Sequence, residues 1–296
     1  MPPSDAPARV AAVDNTLGIE DAGLSELSFR GVDTHGHVFT RHMRMIERRR
    51  YTPQYDATIA DYLAMLDETG MSHGVLVQVS FLGTDNSYLL DALRQEPRRL
   101  RGIVVIEPDT TLAELQDMDG AGVVGVRLNL IGVADPPLAS AEWQGHFRRL
   151  AGLDWQVEVQ AEAHRLPRIL PPLLAAGVRI VVDHFGRLSE ALGIDDPGFQ
   201  YLLTLGSTRS VWVKLSGDYR NGATGRGQQI SNSAAPVLLR EFGAERLIWG
   251  SDWPHTSFET PDATEAAHQA LTRWIPLEAD QRAILVESPR QLFHFD

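Results

Sequence analysis

The chain has 296 residues, of which 43% are hydrophobic and 22% charged; its formal net charge is −12 and it has no cysteine. That acidity argues against a nucleic-acid backbone or an anionic membrane as partner, because both require clustered Lys and Arg. The missing cysteines exclude disulfides, thiolate catalysis and Cys-ligated metal centres. The start, Met1-Pro2-Pro3-Ser4-Asp5, has neither a cationic segment nor an apolar run, and no stretch reaches the ~18 apolar residues of a membrane span, so a cytoplasmic location is expected.

Residues 1–28 scatter Pro, Ala, Asp and Gly without periodicity and read as a loose arm. From 29 to 296 the pattern alternates. Short β-branched runs at 31–37, 74–80, 101–107, 123–129, 155–160, 178–184, 211–216 and 247–252 predict eight strands. Between them lie segments of helical period. In 56–70, Ile59, Leu63 and Leu66 share a face, and Gly70 suits the position just past a helix end. The segment 86–96 stops before Pro97, and Thr111 with Glu114 has the spacing of a capping box. Residues 170–176 end at Gly177, and 262–274 and 277–286 supply late helices. Eight strands separated by helices predict an α/β fold, a (β/α)8 TIM barrel. An open doubly wound sheet is disfavoured, because Thr34-His35-Gly36-His37 stands where its glycine-rich phosphate loop would be.

In a barrel the C-terminal strand ends converge on one pocket, so polar residues there are candidates for function. The first strand ends in Asp33-Thr34-His35-Gly36-His37, whose two histidines share a face by alternation. The sixth delivers His184, preceded by Asp183, and the eighth delivers Asp252, a carboxylate able to act as general base or metal ligand. Arg127 and Lys214 each interrupt an apolar strand run, where a buried cation needs a partner or a polar pocket. Arg187 and Arg220 follow later strands, and guanidinium groups match carboxylates by paired hydrogen bonds. Tyr51, Tyr219 and His255 are further hydrogen-bonding candidates; Trp253 and Phe39 read as pocket walls.

This combination resembles the amidohydrolase superfamily over nearly the whole chain from Val32 to Phe293. Within it, the resemblance is to the lactonase group that includes 2-pyrone-4,6-dicarboxylate lactonase, 4-sulfomuconolactone hydrolase and aldarolactone isomerases. The matching segments are Asp33-Thr34-His35-Gly36-His37-Val38-Phe39, Tyr51-Thr52-Pro53, Gly83-Thr84-Asp85-Asn86, Gly125-Val126-Arg127-Leu128-Asn129, Asp183-His184-Phe185-Gly186-Arg187, Lys214-Leu215-Ser216-Gly217 and Gly250-Ser251-Asp252-Trp253-Pro254-His255. The resemblance implies a hydrolase opening a small carboxylate-bearing lactone by direct water attack. It makes Asp252, His35, His37 and His184 the catalytic set, and Arg127, Tyr51, Arg187, Lys214, Tyr219, Arg220 and His255 the substrate contacts.

Strand four offers Arg127 and Asn129, and strand five Glu158 and Gln160, where metal-rich relatives place a Lys or Glu and a His. A two-metal centre is therefore not expected. The expectation is no required cofactor, or one divalent cation such as zinc on His35, His37 and Asp252. The implied partner is a small anionic lactone, with no nucleic acid, no membrane and a possible homo-oligomer. Aldarolactone isomerisation, metal-dependent decarboxylation of a muconate-like or aromatic acid, and non-catalytic binding of a small acid stay open as alternatives.

Overall fold

The computed structural model describes residues 29–223 and 225–295. The arm expected at 1–28 lies outside the described residues. The strands are β1 (Val32–Gly36), β2 (His73–Val77), β3 (Leu100–Val104), β4 (Val123–Asn129), β5 (Gln156–Gln160), β6 (Arg179–Val182), β7 (Val211–Leu215) and β8 (Leu247–Trp249). All eight predicted strands are present. Each pairs in parallel with the next, in the order β1 to β8. The ends meet where Asp252 N donates to the His35 carbonyl (2.9 Å) and His37 N to that of Trp253 (2.9 Å).

The helices fill the crossovers: α1 (Ile59–Glu68), α2 (Ser87–Gln95), α3 (Leu112–Gly120), α4 (Ala141–Gly152), α5 (Leu166–Ala176), α6 (Pro197–Leu203), α7 (Arg226–Phe242), α8 (Ala263–Trp274), α9 (Glu278–Arg282) and α10 (Ser288–Leu292). Thr111 and Glu114 form the expected capping box on α3, and Gly177 closes α5 in the left-handed conformation. Two expectations need correction. On α1 the buried face is Ile59, Tyr62, Met65 and Leu66, while Leu63 is only partly buried. The single helix expected at 277–286 is instead α9, a widened π-helical turn at Ala283–Glu287, and then α10. Pro289 has no N–H to give to Leu285, so regular i to i−4 bonding cannot run through that point.

Two apolar layers follow from strand alternation. Outward residues such as Leu76, Val126, Val157 and Val213 join the helix faces in the larger core. Inward residues Val32, Val75, Val77, Ile103, Val124, Val181, Trp212 and Ile248 fill the barrel, plugged by Leu292, Phe293 and Phe295. Strict alternation would put Asp33 on the same face as His35 and His37. The β1–β2 register contains one extra residue of β1 between Asp33 and Gly36, and this irregularity turns Asp33 outward. There Asp33 accepts from Tyr62 Oη of α1 (3.2 Å), Ser251 N (2.8 Å) and Ser251 Oγ (2.6 Å), tying β1 to the segment after β8.

Tyr62 reaches Asp33 by lying flat on two glycines. A Cβ at Gly36 would stand 2.3 Å from the ring and one at Gly74 2.5 Å from its hydroxyl. Gly74→Ala should therefore overpack this contact and cost about 1–3 kcal/mol. A lowered urea midpoint with unchanged slope would record the loss. An unshifted midpoint would mean that Tyr62 can move aside freely.

Candidate active site

Above the apolar filling, the inward strand positions become charged. Arg127, Glu158, Asp183 and Lys214 come from β4, β5, the end of β6 and β7, and all are buried. Lys214 Nζ donates to Glu158 Oε1 (2.6 Å) and to His35 Nδ1 (3.0 Å), and lies 3.4 Å from Asp183 Oδ1. Arg127 donates to Asp183 Oδ2 through Nη2 (2.9 Å) and Nε (3.3 Å). Two cations thus meet two carboxylates in a sealed layer. A buried charge without such a partner would cost several kcal/mol.

On this floor stand the histidines and Asp252. His35 Nε2 and His37 Nε2 approach Asp252 Oδ1 to 3.7 and 3.6 Å. His37 Nδ1 bonds the Val77 carbonyl (2.6 Å), so it must carry the proton and Nε2 the lone pair. His184 Nδ1 pairs with Ser216 Oγ (2.8 Å), while its buried Nε2 has no partner. Asp252 uses its two oxygens differently. Oδ2 accepts from Tyr219 Oη (2.7 Å) and Arg220 Nε (2.5 Å); buried Oδ1 accepts no hydrogen bond. Burial alone would push the Asp252 carboxyl up, but the Arg220 guanidinium outweighs it and holds the carboxyl well below the usual range. Burial also drives His35 and His184 well below the ordinary histidine value, so both are neutral at neutral pH.

The backbone is shaped to this end. His184 (φ 51°) and Asp252 (φ 63°) both adopt the left-handed region, which is uncommon for residues with side chains and recurs at functional sites. Gly217 leaves them room, because a Cβ there would lie 2.8 Å from Asp252 Oδ2 and 3.1 Å from His184 Nδ1.

A polar pocket opens beside this group, lined by His37, Arg50, Tyr51, Arg127, Gln160 and Arg220 among others. Arg50 of this pocket and Arg187, which is not part of its lining, both feel neighbouring guanidinium groups. Burial and then Arg127 and Arg220 lower the Arg50 pKa; burial and then Arg220 bring Arg187 down to about 10.

The structure brings together His35, His37, His184 and Asp252, and sets Arg127, Arg220 and Tyr51 around the pocket. It also changes several expected parts. Lys214, expected to touch substrate, is fully buried beneath His35 and held by Glu158. Arg127 lines the pocket but already has Asp183 as counter-ion, whereas Arg187 Nε is buried without a partner. His255 bonds Tyr219 Oη (3.0 Å) and Thr264 Oγ1 (3.1 Å), so it braces Tyr219. The Tyr51 hydroxyl is engaged by Glu259. Phe39 packs in a small core with Ala57 and Phe81, and Trp253 lies against Tyr62; neither walls the pocket. Glu158, Asp183, Ser216 and Arg50 were absent from the expected site. The first two carried a signal in the sequence, as acids at inward strand positions matching the cations Arg127 and Lys214.

A metal would find ligands here. Atoms of His35, His184 and Asp252 lie within 4.8 Å of one another, as do those of His35, Glu158 and Asp183. The second trio encloses the Lys214 ammonium, which competes with any cation. The first includes the unpartnered His184 Nε2 and Asp252 Oδ1, a nitrogen and oxygen donor set that suits a divalent ion. It substitutes His184 for the expected His37, although His37 Nε2 points at the same Asp252 oxygen.

The amidohydrolase family profile matches residues 32–295. The 4-sulfomuconolactone hydrolase of Rhizobium radiobacter is 34% identical over 279 residues, covering 88% of this chain and 89% of that protein. The 2-pyrone-4,6-dicarboxylate hydrolase of Comamonas testosteroni is 31% identical over 276 residues, with 88% and 89% covered. The crystal structure of a probable 2-pyrone-4,6-dicarboxylic acid hydrolase from Acinetobacter baumannii, with citric acid bound, superposes with a TM-score of 0.87 at 42% identity, covering 90% of this chain and 99% of that one. A profile match over most of the barrel, with relatives above 30% identity along nearly their full length, means that this chain belongs to the amidohydrolase family.

Proposed function

We propose that this chain is a hydrolase that opens a small lactone carrying at least one carboxylate, by direct attack of water on the ring carbonyl. The observation that carries the reading is the asymmetry of Asp252: Oδ2 is loaded by Arg220 and Tyr219, while buried Oδ1 is free and ringed by three histidines. A water seated there gives one proton to Oδ1 and a hydrogen bond to His37 Nε2, leaving its lone pair for the carbonyl carbon. His35 and His184 flank the position where oxyanion charge develops, and one well-placed donor there is worth ~3 kcal/mol. The guanidinium cluster of Arg50, Arg127, Arg187 and Arg220 binds the carboxylate and fixes the ring. The relatives act on lactones by their names, and one was solved with citric acid, a polycarboxylate. Tyr219, His255 and Lys214 hold these groups in position.

No residue here must carry a metal for this chemistry, and at most one divalent cation such as zinc is expected. When bound, such an ion would polarise the carbonyl and acidify water; His184 Nε2 and Asp252 Oδ1 are the free atoms to hold it, with His35 or His37 beside them. The substrate is a small molecule. Among the described residues no helix is long and apolar enough to cross a membrane.

Three measurements test the reading. A panel of carboxylated lactones, assayed with and without chelator, should show turnover, and Asp252→Asn should reduce kcat by roughly 10²- to 10⁴-fold while the fold persists. Near-normal turnover by this variant would remove Asp252 as base. The second uses Arg187→Met, which should lower kcat/KM for the acid by roughly ten- to a hundredfold, the worth of one charge-assisted hydrogen bond. A neutral lactone of similar shape should lose little; equal losses on both would end the anchoring role. The third is pH. The ionised carboxylate is the active form, so activity falls as pH drops through the Asp252 pKa, which lies well below 3.8. Arg220→Met removes the cation that favours the charged form, so the acid limb of kcat/KM should move to higher pH. An unmoved limb would assign it to another group.

A further inference from the structure

We infer that Lys214 fixes His35 as the tautomer protonated on Nε2, and thereby makes His35 a hydrogen-bond donor to the reacting oxygen instead of a metal ligand. Lys214 is fully buried at the end of β7, with three polar atoms around its ammonium: Glu158 Oε1 at 2.6 Å, His35 Nδ1 at 3.0 Å and Asp183 Oδ1 at 3.4 Å. An ammonium has three protons and no lone pair, so every neighbour within hydrogen-bond reach must accept. Glu158 accepts as a carboxylate does, and Asp183 Oδ1 stands at ion-pair distance. His35 Nδ1 accepts only if its proton is on Nε2. That nitrogen faces Asp252 Oδ1 at 3.7 Å, on the side where the substrate carbonyl would lie.

One contact opposes this. Arg127 Nη2 stands 3.5 Å from His35 Nε2, and a guanidinium also only donates. Arg127 is already engaged by Asp183 at 2.9 Å, so the 3.0 Å contact from Lys214 outweighs one at the limit of bonding. Burial and the Lys214 charge both disfavour a doubly protonated ring, in keeping with a single proton on His35.

The consequence concerns metal affinity. Glu158 Oε1 and Asp183 Oδ1 lie 3.3 and 3.5 Å from His35 Nδ1. Without Lys214, either carboxylate would accept a proton from Nδ1, and Nε2 would be left with its lone pair. A carboxylate, a histidine and a vacant Nε2 are the parts of a carboxylate–histidine–metal relay, in which the outer partner tunes affinity about 10- to 100-fold. Lys214 occupies the place where that relay would form. It is a positioning residue, and in the wild type any ion must rely on His184, Asp252 and His37. The tautomer stands independently of substrate; only the donor's part in turnover rests on the lactone-opening reading.

The direct test is long-range ¹H–¹⁵N correlation on histidine-labelled wild-type protein, with His35 assigned by its loss in His35→Gln. The expected result is a protonated Nε2 and an unprotonated Nδ1; a protonated Nδ1 overturns the proposal. Titration with zinc alone, followed by calorimetry, should show tighter binding to Lys214→Met than to wild type, by about 10- to 100-fold. If Lys214→Met does not fold, Lys214→Met with Glu158→Gln removes one charge of each sign and serves in its place. Equal zinc affinity in wild type and a folded variant overturns the metal consequence. Protonated Nε2 without turnover of any lactone leaves the tautomer standing and removes the function; turnover with protonated Nδ1 does the reverse.

Discussion

The charged layer across the barrel, in which Lys214 and Arg127 meet Glu158 and Asp183, is the constraint on which the site depends. Each member occupies an inward position where an aliphatic side chain would otherwise complete the packing. Well-packed apolar residues would be as stable as such a network, or more so, while removing one partner alone costs about 3–5 kcal/mol. Stability therefore does not account for these charges. Their geometric effect does: they form an ion-paired floor that holds His35 through Lys214 beneath Asp252. Each of the four members comes from a different strand or strand end, so the barrel's closure and the site's geometry are one property.

The same accounting of charge bears on the proposed acidic ligand of an acidic protein. At a net charge of −12 the chain repels anions at long range, but solvent-exposed charges are screened beyond about 8 Å at physiological salt. Selection must then be local. Arg50 lies close enough to Arg127 and Arg220, and Arg187 to Arg220 and Arg50, for both to be lowered, and an outer groove adjoining the pocket adds Arg48 and Arg49. At the rim, Glu259 is occupied by Tyr51 and Tyr55. Under the proposed function, a carboxylate on the substrate would relieve the mutual repulsion of the guanidinium groups, which a neutral ring of the same shape cannot do.

Much of this was legible in the sequence because the barrel obeys local rules. Eight β-branched runs separated by helical period gave the strands, and polar residues at run ends marked His35, His37, His184 and Asp252. The rest depended on distances that no local pattern carries. Arg127 and Lys214 were visible as cations inside apolar runs, but their partners lie on other strands, and pairing turned two expected substrate contacts into one pocket cation with a counter-ion and one sealed ammonium. Arg48, Arg49 and Arg50 are consecutive in a loop, and nothing local distinguishes Arg50 as the one lining the pocket. The extra residue in β1 was equally hidden: alternation alone puts Asp33 inside, while the closure of β1 against the β8 end turns it out to Tyr62 and Ser251.

Arg220 joins the two halves of the proposed chemistry. It donates to Asp252 Oδ2, lines the pocket, and lies with its guanidinium 5.4 Å from the ring centres of both Tyr219 and Phe258. A carboxylate held well below its usual range is reliably ionised but is a poor base, since proton transfer is best served by a pKa near the working pH. In the proposed reaction, an arriving substrate carboxylate would compete for the same guanidinium. Whatever share of Arg220 it takes is lost to Asp252, so basicity rises when the site is filled. In the proposed reaction, the anion that anchors the ring is then also what sharpens the base. A neutral lactone would reach the same histidines and meet a carboxylate still neutralised by Arg220. Specificity for the acid would thus appear in kcat as well as in KM, because binding and activation draw on one cation.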